Sequence, residues 1–306
     1  MDDIVGHNQI RQYLHKLIQD GRVHHAYCFV GPNHVGKQTV AYDIAASLLQ
    51  TQVEKLSTHP NFLFITTERD EKKEKTRHAI DIGQIRQMIS SFSLTQSSGG
   101  YQVAIINPAG LLTTAASNAL LKTLEEPRKN TVIILIAQSE DELLPTVRSR
   151  SHAVRFSPVS QSELEQYAAS LGVKSDVALE LSESAHGLPG LIKTWIEGPD
   201  VFKEFKKQMQ DFDDLLGQPL YKKMKFVDIV LADDKDHQEA KEKMIHLLDV
   251  WQLVGRQHLY KNVAEQSTWP QDRVMLALDR MQQAKIFLRQ NIQPRLLIEH
   301  VILALP

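Results

Sequence analysis

A parallel α/β sheet followed by an all-helical half is what three features of this chain imply. Short uninterrupted apolar runs alternate with helix-period segments through the N-terminal half, strand-like runs stop beyond Ser157-Pro158, and a glycine-bearing loop joins the first such run to a helix. Continuous apolar strands separated by helices indicate a parallel sheet covered on both faces.

The elements follow in order. Ile10, Leu14, Leu17 and Ile18 recur at helical spacing, and Gly21 ends that opening helix. Ala26-Tyr27-Cys28-Phe29-Val30 forms a buried strand, and Val40, Ile44, Ala45, Leu48 and Leu49 continue as a helix. Phe62-Leu63-Phe64-Ile65 is the second strand. The stretch Glu68 to His78 mixes both charge signs and is expected to be a solvated loop. Ile82, Ile85, Met88 and Ile89 mark a helix, and Val103-Ala104-Ile105-Ile106 the third strand. The helix Ala115 to Glu126 must stop before Pro127, and Val132 to Ile136 is the fourth strand. Three short helical patterns follow, Leu164 to Ala169, Val177 to Ala185 and Leu191 to Ile196; the remainder is helical to the end. The expected division is 1–157, 158–201 and 202–306.

Composition narrows the function classes. At about 150 residues per domain, 306 residues make two or three domains. Hydrophobic residues at 42% and charged residues at 24% exclude wholesale disorder. A net charge of −2 excludes a basic nucleic-acid coat, so any DNA contact needs a local patch or a partner's charge. The one cysteine, Cys28, excludes an internal disulfide and argues against structural zinc. The longest aliphatic run, Val132 to Ala137, is far short of a membrane span, and Met-Asp-Asp-Ile has no apolar signal core. A cytoplasmic protein with no membrane partner is expected.

The segment Gly31-Pro-Asn-His-Val-Gly36-Lys37-Gln38-Thr39 has the strand–loop–helix context of a phosphate loop. Glycines let backbone N–H groups turn toward phosphate oxygens, the helix N-terminus adds its dipole, and Lys37 would reach the terminal phosphates. Gln38 stands where the motif needs a Mg²⁺-binding hydroxyl. Thr39 comes one residue late, a rotation of about 100°. The third strand runs into Asn107-Pro108-Ala109-Gly110, where a hydrolase would carry acids for the metal and the attacking water. Hydrolysis by this chain is therefore not expected, and binding of ATP or ADP without hydrolysis stays open.

Four stretches together resemble the delta prime family of bacterial DNA polymerase III clamp-loader subunits, of the AAA+ class. They are Ile4-Val-Gly6-His-Asn-Gln-Ile10 with Gly21-Arg22-Val-His-His25-Ala26-Tyr27; His59-Pro60-Asn61 with Ile80-Asp81-Ile82 and Ile85-Arg86; Ala116-Ser-Asn118-Ala-Leu-Leu-Lys122-Thr-Leu-Glu-Glu126-Pro127; and Leu144-Pro145-Thr146-Val-Arg148-Ser149-Arg150-Ser151. The match is dense over 1–155, thinner beyond, and weakly renewed at Gln293 to Glu299.

The resemblance implies a RecA-like AAA+ core (1–157), a helical lid (158–201) and a helical collar that oligomerises (202–306). It implies a non-hydrolysing stator that associates with motor and delta subunits and acts on a sliding clamp and primed DNA through the complex. Arg150 would serve the ATP of the adjacent motor subunit as an arginine finger, with Arg148 its local competitor. Gly31, Gly36, Lys37, Gln38 and Thr39 would be a vestigial nucleotide loop. Asn118, Lys122 and Glu126, spaced at four on one helix face, would lie at a subunit interface, and Arg86 would approach the DNA backbone. Ser151 replaces the family's cysteine, and Gly190 stands where motor subunits place a nucleotide-sensing arginine. The four cysteines that many members use for zinc are missing here, so zinc is not expected. The alternatives are an AAA+ ATPase whose unorthodox metal site combines Thr39 with an acid outside the usual strand, and a P-loop nucleotide kinase, which the helical C-terminal half disfavours.

Overall fold

In chain order the strands are β1 (Ala26–Val30), β2 (Phe62–Ile65), the two-residue β3 (Arg69–Asp70) and β4 (Lys75–Thr76), β5 (Gln102–Ile106), β6 (Thr131–Ala137) and β7 (His152–Arg155). Five of them form one sheet in the order β2-β5-β6-β1-β7, with every pairing parallel. The computed structural model describes residues 4–67, 69–70, 75–76, 79–94, 100–231, 237–263, 270–289 and 292–305. They fall into two units, Met1–Lys193 and Thr194–Pro306.

Every residue of β1, β5 and β6 is buried, which is why these strands, apart from Gln102 and Thr131 at the starts of β5 and β6, read as apolar runs. The edge strand β7 was not anticipated from sequence. His152-Ala-Val-Arg155 is short and polar, and it becomes a strand by pairing with β1, Tyr27 opposite His152 and Val30 opposite Arg155. The charged stretch 68–78 also departs from the expected loop. Its described backbone, 69–70 and 75–76, forms an antiparallel ladder, and the rest lies outside the described residues.

Helices α1 (Asn8–Gln19), α2 (Lys37–Leu48), α3 (Ile82–Leu94), α4 (Thr114–Glu125) and the short α5 (Pro145–Arg148) accompany the sheet. Buried Asp43 of α2 accepts from Arg11 Nε at 3.1 Å and pairs with His15 Nε2 at 2.9 Å, tying α1 to α2. Asp81 and Gln84 cap α3 reciprocally, each backbone N–H donating to the other's side chain at 3.1 Å. Thr113 caps α4 by accepting from the Ala116 N–H. Glu126, placed by sequence on the face of that helix, lies just past its last helical residue, with Pro127 next. Leu120 of α4 packs among Ile85, Ile106 and Ile133 in the core.

Helices α6 (Gln161–Ser170) and α7 (Ser175–Ala185) follow, then α8 (Pro189–Glu197). A Ser160–Glu163 capping box starts α6. The second unit continues with α9 (Pro199–Leu215), α10 (Leu220–Leu231), α11 (His237–Val263), α12 (Gln271–Arg289) and α13 (Pro294–Ile302). Its core centres on Trp251, fully buried against Phe212 and Phe226 at 5.3 and 5.7 Å between ring centres. Lys285 enters that core by pairing with Asp249 at 2.6 Å and Gln252 at 2.8 Å. Among the described residues no helix is long and apolar enough to cross a membrane.

Leu120 fixes α4 on the sheet with no exposed surface. Leu120→Ala should lower the unfolding free energy by about 2–5 kcal/mol in urea titration.

Candidate functional site

The phosphate loop leaves β1 at its C-terminal end, where ligands of open parallel sheets bind. Gly31 follows the strand at φ 152°, a positive φ that favours glycine, and a Cβ there would come within 2.4 Å of the Phe156 carbonyl oxygen. The loop closes on Gly36, which caps α2 with φ 107°. Residues 33–39 line a cavity of about 520 Å³ together with Ile4, Val5, Asn107, Ile136, Tyr167, Pro189, Gly190 and Lys193. Thr39 is on this wall despite its one-residue offset, and no carboxylate is among the described residues of the lining.

Lys37, expected from sequence to reach the terminal phosphates of a bound nucleotide, is turned inward in this structure. Its ammonium folds back into the loop, donating to the Gly31 and Pro32 carbonyls at 2.5 and 2.6 Å. Burial pushes its pKa down to about 8, with Glu142 opposing the shift. Gln38 and Asn107 meet directly. Asn107 Nδ2 donates to Gln38 Oε1 at 2.7 Å, and Gln38 Nε2 donates to the Tyr42 hydroxyl at 3.0 Å. Two neutral carboxamides thus bond to each other where a hydroxyl and a carboxylate would hold Mg²⁺. Mg²⁺ prefers charged oxygen ligands in near-octahedral geometry, so these residues do not fit it.

Two residues that sequence reasoning missed, His7 and Glu142, complete the surroundings. His7, in the left-handed region at φ 57°, donates from Nε2 to the Val35 carbonyl at 2.9 Å and packs edge-on to Phe156. Burial lowers its pKa, against the raising effects of the Val35 bond and Glu163. Glu142 accepts from the Gln138 N–H at 2.9 Å, and a Cβ on Gly110 would meet it at 2.7 Å. Glu142 is not part of the cavity lining, so it is not brought together with Thr39 there. The only local sequence signal was the left-handed Gly6-His7 entry to α1. Above the loop, the Gly190 N–H donates to the His34 carbonyl at 2.9 Å, and a Cβ on Gly190 would stand 3.0 Å from that oxygen.

Arg150 lies elsewhere. It follows α5 and precedes β7, at the N-terminal end of the sheet, whereas the phosphate loop leaves the C-terminal end of β1. The two ends are separated by the length of β1, about 16 Å at about 3.3 Å per residue. Arg150 Nη1 donates to the Thr146 carbonyl at 3.0 Å and to Ser149 Oγ at 3.3 Å, and Nη2 pairs with Glu125 Oε1 at 2.7 Å. Arg148 pairs instead with exposed Asp141 at 3.0 Å. Ser151 Oγ donates to the Val147 carbonyl at 2.9 Å, so the serine at the family's cysteine position helps close this turn. Asn118 and Lys122 are exposed on α4, as is Glu126 beyond it, and Arg86 is exposed on α3. No ion pair joins Lys122 to Glu126 among the described residues; the paired acid is Glu125.

Residues 6–160, half of the chain, match the family described as "DNA polymerase III, delta subunit". The chain belongs to this family. It is 30% identical over 212 residues to DNA polymerase III subunit delta' of Pseudomonas aeruginosa, covering 64% of this chain and 62% of that one. It is 26% identical over 317 residues to the Bacillus subtilis subunit of the same name, covering 97% and 95%. The match therefore spans under two thirds of the first relative and nearly all of the second. A DNA polymerase III gamma subunit-related protein from Thermotoga maritima shares the fold with TM-score 0.50 and 16% identity, covering 95% of this chain and 97% of that one. The parallel α/β fold with a helical C-terminal half expected from sequence is thereby borne out. The part matched by the delta family holds the phosphate loop, the Gln38–Asn107 pair and Arg150.

The Lys37 ammonium gives a signed pH test. Folded Lys37 releases its proton near 8, against 10.5 ordinarily, so between these values the unfolded chain holds more protons and stability rises with pH. The difference in unfolding free energy between wild type and Lys37→Met should be flat below pH 8. It should then move in favour of the wild type by up to about 3 kcal/mol toward pH 10.5. Urea titrations at stepped pH measure it.

Proposed function

We propose that this delta-family protein is a non-hydrolysing stator of a DNA polymerase III clamp loader that lends Arg150 to the ATP site of an adjacent motor subunit. The carrying observation is the placement of Arg150 at the sheet end opposite its own phosphate loop. A guanidinium there serves a nucleotide held by a neighbour. Presented in trans, it offsets the charge that develops on the transferred phosphoryl group, an effect of roughly 10³–10⁵ in rate in other NTPases.

The non-hydrolysing part of the reading rests on the Gln38–Asn107 bond, which leaves neither a metal ligand nor a base at the end of β5. The cavity keeps its loop and Lys37, so ATP or ADP would be held weakly and without metal. In this reading 1–157 is the core, 158–201 the lid and 202–306 the oligomerising collar. Asn118, Lys122 and Glu126 face a neighbouring subunit, while Arg86 approaches the DNA backbone. The partners are motor and delta subunits, with the sliding clamp and primed DNA engaged through the assembly in the cytoplasm.

The test is ATP turnover by the isolated chain and by the assembly reconstituted with motor and delta subunits, clamp and primed DNA. The isolated chain should not turn over ATP, and Mg²⁺ should not raise its nucleotide affinity. In the assembly, Arg150→Ala should lower turnover about tenfold or more, less than the full effect of a finger because other sites keep theirs. Lys37→Ala should change turnover little. Abolition by Lys37→Ala, with Arg150→Ala silent, would instead favour an ATPase with its own site.

A further inference from the structure

The finger reading leaves open what aims Arg150. We infer that Glu125, the last helical residue of α4, is the positioning residue for the Arg150 guanidinium, an inference that rests on the function proposed above.

An arginine at a surface turn carries considerable rotamer freedom, and each misplaced conformation is lost to catalysis. Here three groups restrict it. The Thr146 carbonyl and Ser149 Oγ take Nη1, and the Glu125 carboxylate takes Nη2 at 2.7 Å. The first two belong to the turn that carries Arg150, so they fix the guanidinium only relative to its own short segment. Glu125 belongs to α4, whose Leu120 and Leu124 are buried in the core beside the sheet. Through Glu125 the fork is referenced to the rigid body of the unit. The side chain remains 36% exposed, so part of the fork is still presented outward.

Helix electrostatics do not account for this carboxylate. It stands at the C-terminal end of α4, where the peptide dipoles present negative charge and favour a cation. A second acid, Glu126, follows at the cap. Isolated from Arg150, Glu125 is in an unfavourable place for helix stability, and its 2.7 Å contact is with the one side chain the proposed function needs to hold still. When a neighbouring subunit covers this surface, the loss of water strengthens the pair.

The test uses the reconstituted assembly with clamp and primed DNA, measuring kcat and KM for ATP, with assembly followed by gel filtration. Glu125→Ala should lower kcat five- to tenfold with KM and assembly unchanged. Glu125→Asp, which keeps the charge on a shorter stem, should recover part of that loss. Because Glu125 acts through Arg150, the double variant Glu125→Ala/Arg150→Ala should be no slower than Arg150→Ala alone.

Full additivity in that cycle, or an unchanged kcat in Glu125→Ala beside a slow Arg150→Ala, overturns the positioning role and leaves the finger intact. An Arg150→Ala assembly as fast as wild type overturns the finger and this inference with it. Should Glu125→Ala impair assembly, the isosteric Glu125→Gln decides: reduced kcat in a fully assembled complex supports the role, and wild-type kcat overturns it.

Discussion

A parallel sheet has two chemically different ends, and this fold depends on keeping them apart. β1 lies between β6 and β7 with its register fixed on both sides, Val30 opposite Ala137 and Arg155. The phosphate loop therefore leaves one end of the sheet, and the turn that carries Arg150 enters at the other. No rotamer change brings them together, because the separation is the length of a buried strand rather than a loop conformation. If Arg150 serves nucleotide chemistry, as proposed above, its place at the far end of its own sheet lets it do so only across an interface. In that reading the subunit's partners are part of its function.

The losses at the nucleotide end fit the same division. Replacing a hydroxyl and a carboxylate by two carboxamides removes the charge that would hold a metal, and the new groups are complementary to each other. Gln38 and Asn107, both half-buried on the cavity wall, satisfy each other by a bond between positions 69 residues apart in the chain. The pair joins the start of α2 to the end of β5 and so is a structural tie.

Much of this was legible in the residues, and the limits have physical causes. β1, β5 and β6 announce themselves because burial on both faces demands unbroken apolar runs. β7 does not, since an edge strand has one neighbour and His152 and Arg155 can remain partly or wholly exposed. Gln38 and Asn107 each stood out as a missing ligand, but their bond to each other joins distant parts of the chain and leaves no local pattern. Glu125 was visible only as one acid in a Glu-Glu-Pro sequence, and its pairing with Arg150 follows from α4 and α5 meeting in space. The outward-looking spacing of Asn118, Lys122 and Glu126 was readable, yet the residue between them turned out to hold the guanidinium. For Lys37 the motif specifies what the lysine does with a phosphate, and says nothing of the Gly31 and Pro32 carbonyls it meets in this structure.

Those carbonyls bear on why the loop survives at all. In a working site the bound nucleotide and metal satisfy the lysine, the metal ligands and the groups of the covering lid. Here each finds its partner inside the chain. The Lys37 ammonium has the Gly31 and Pro32 carbonyls, Gln38 and Asn107 have each other, and the Gly190 N–H has the His34 carbonyl. With glycine at 190, α8 begins within backbone contact of the loop, at a distance an arginine's Cβ would not permit without a shift. Ligand entry would have to break bonds already made, which is the ground for the weak nucleotide binding proposed above. A loop satisfied from within is tied into one set of internal bonds, and that fits the stator reading proposed above, in which the arginine must be presented at a constant place.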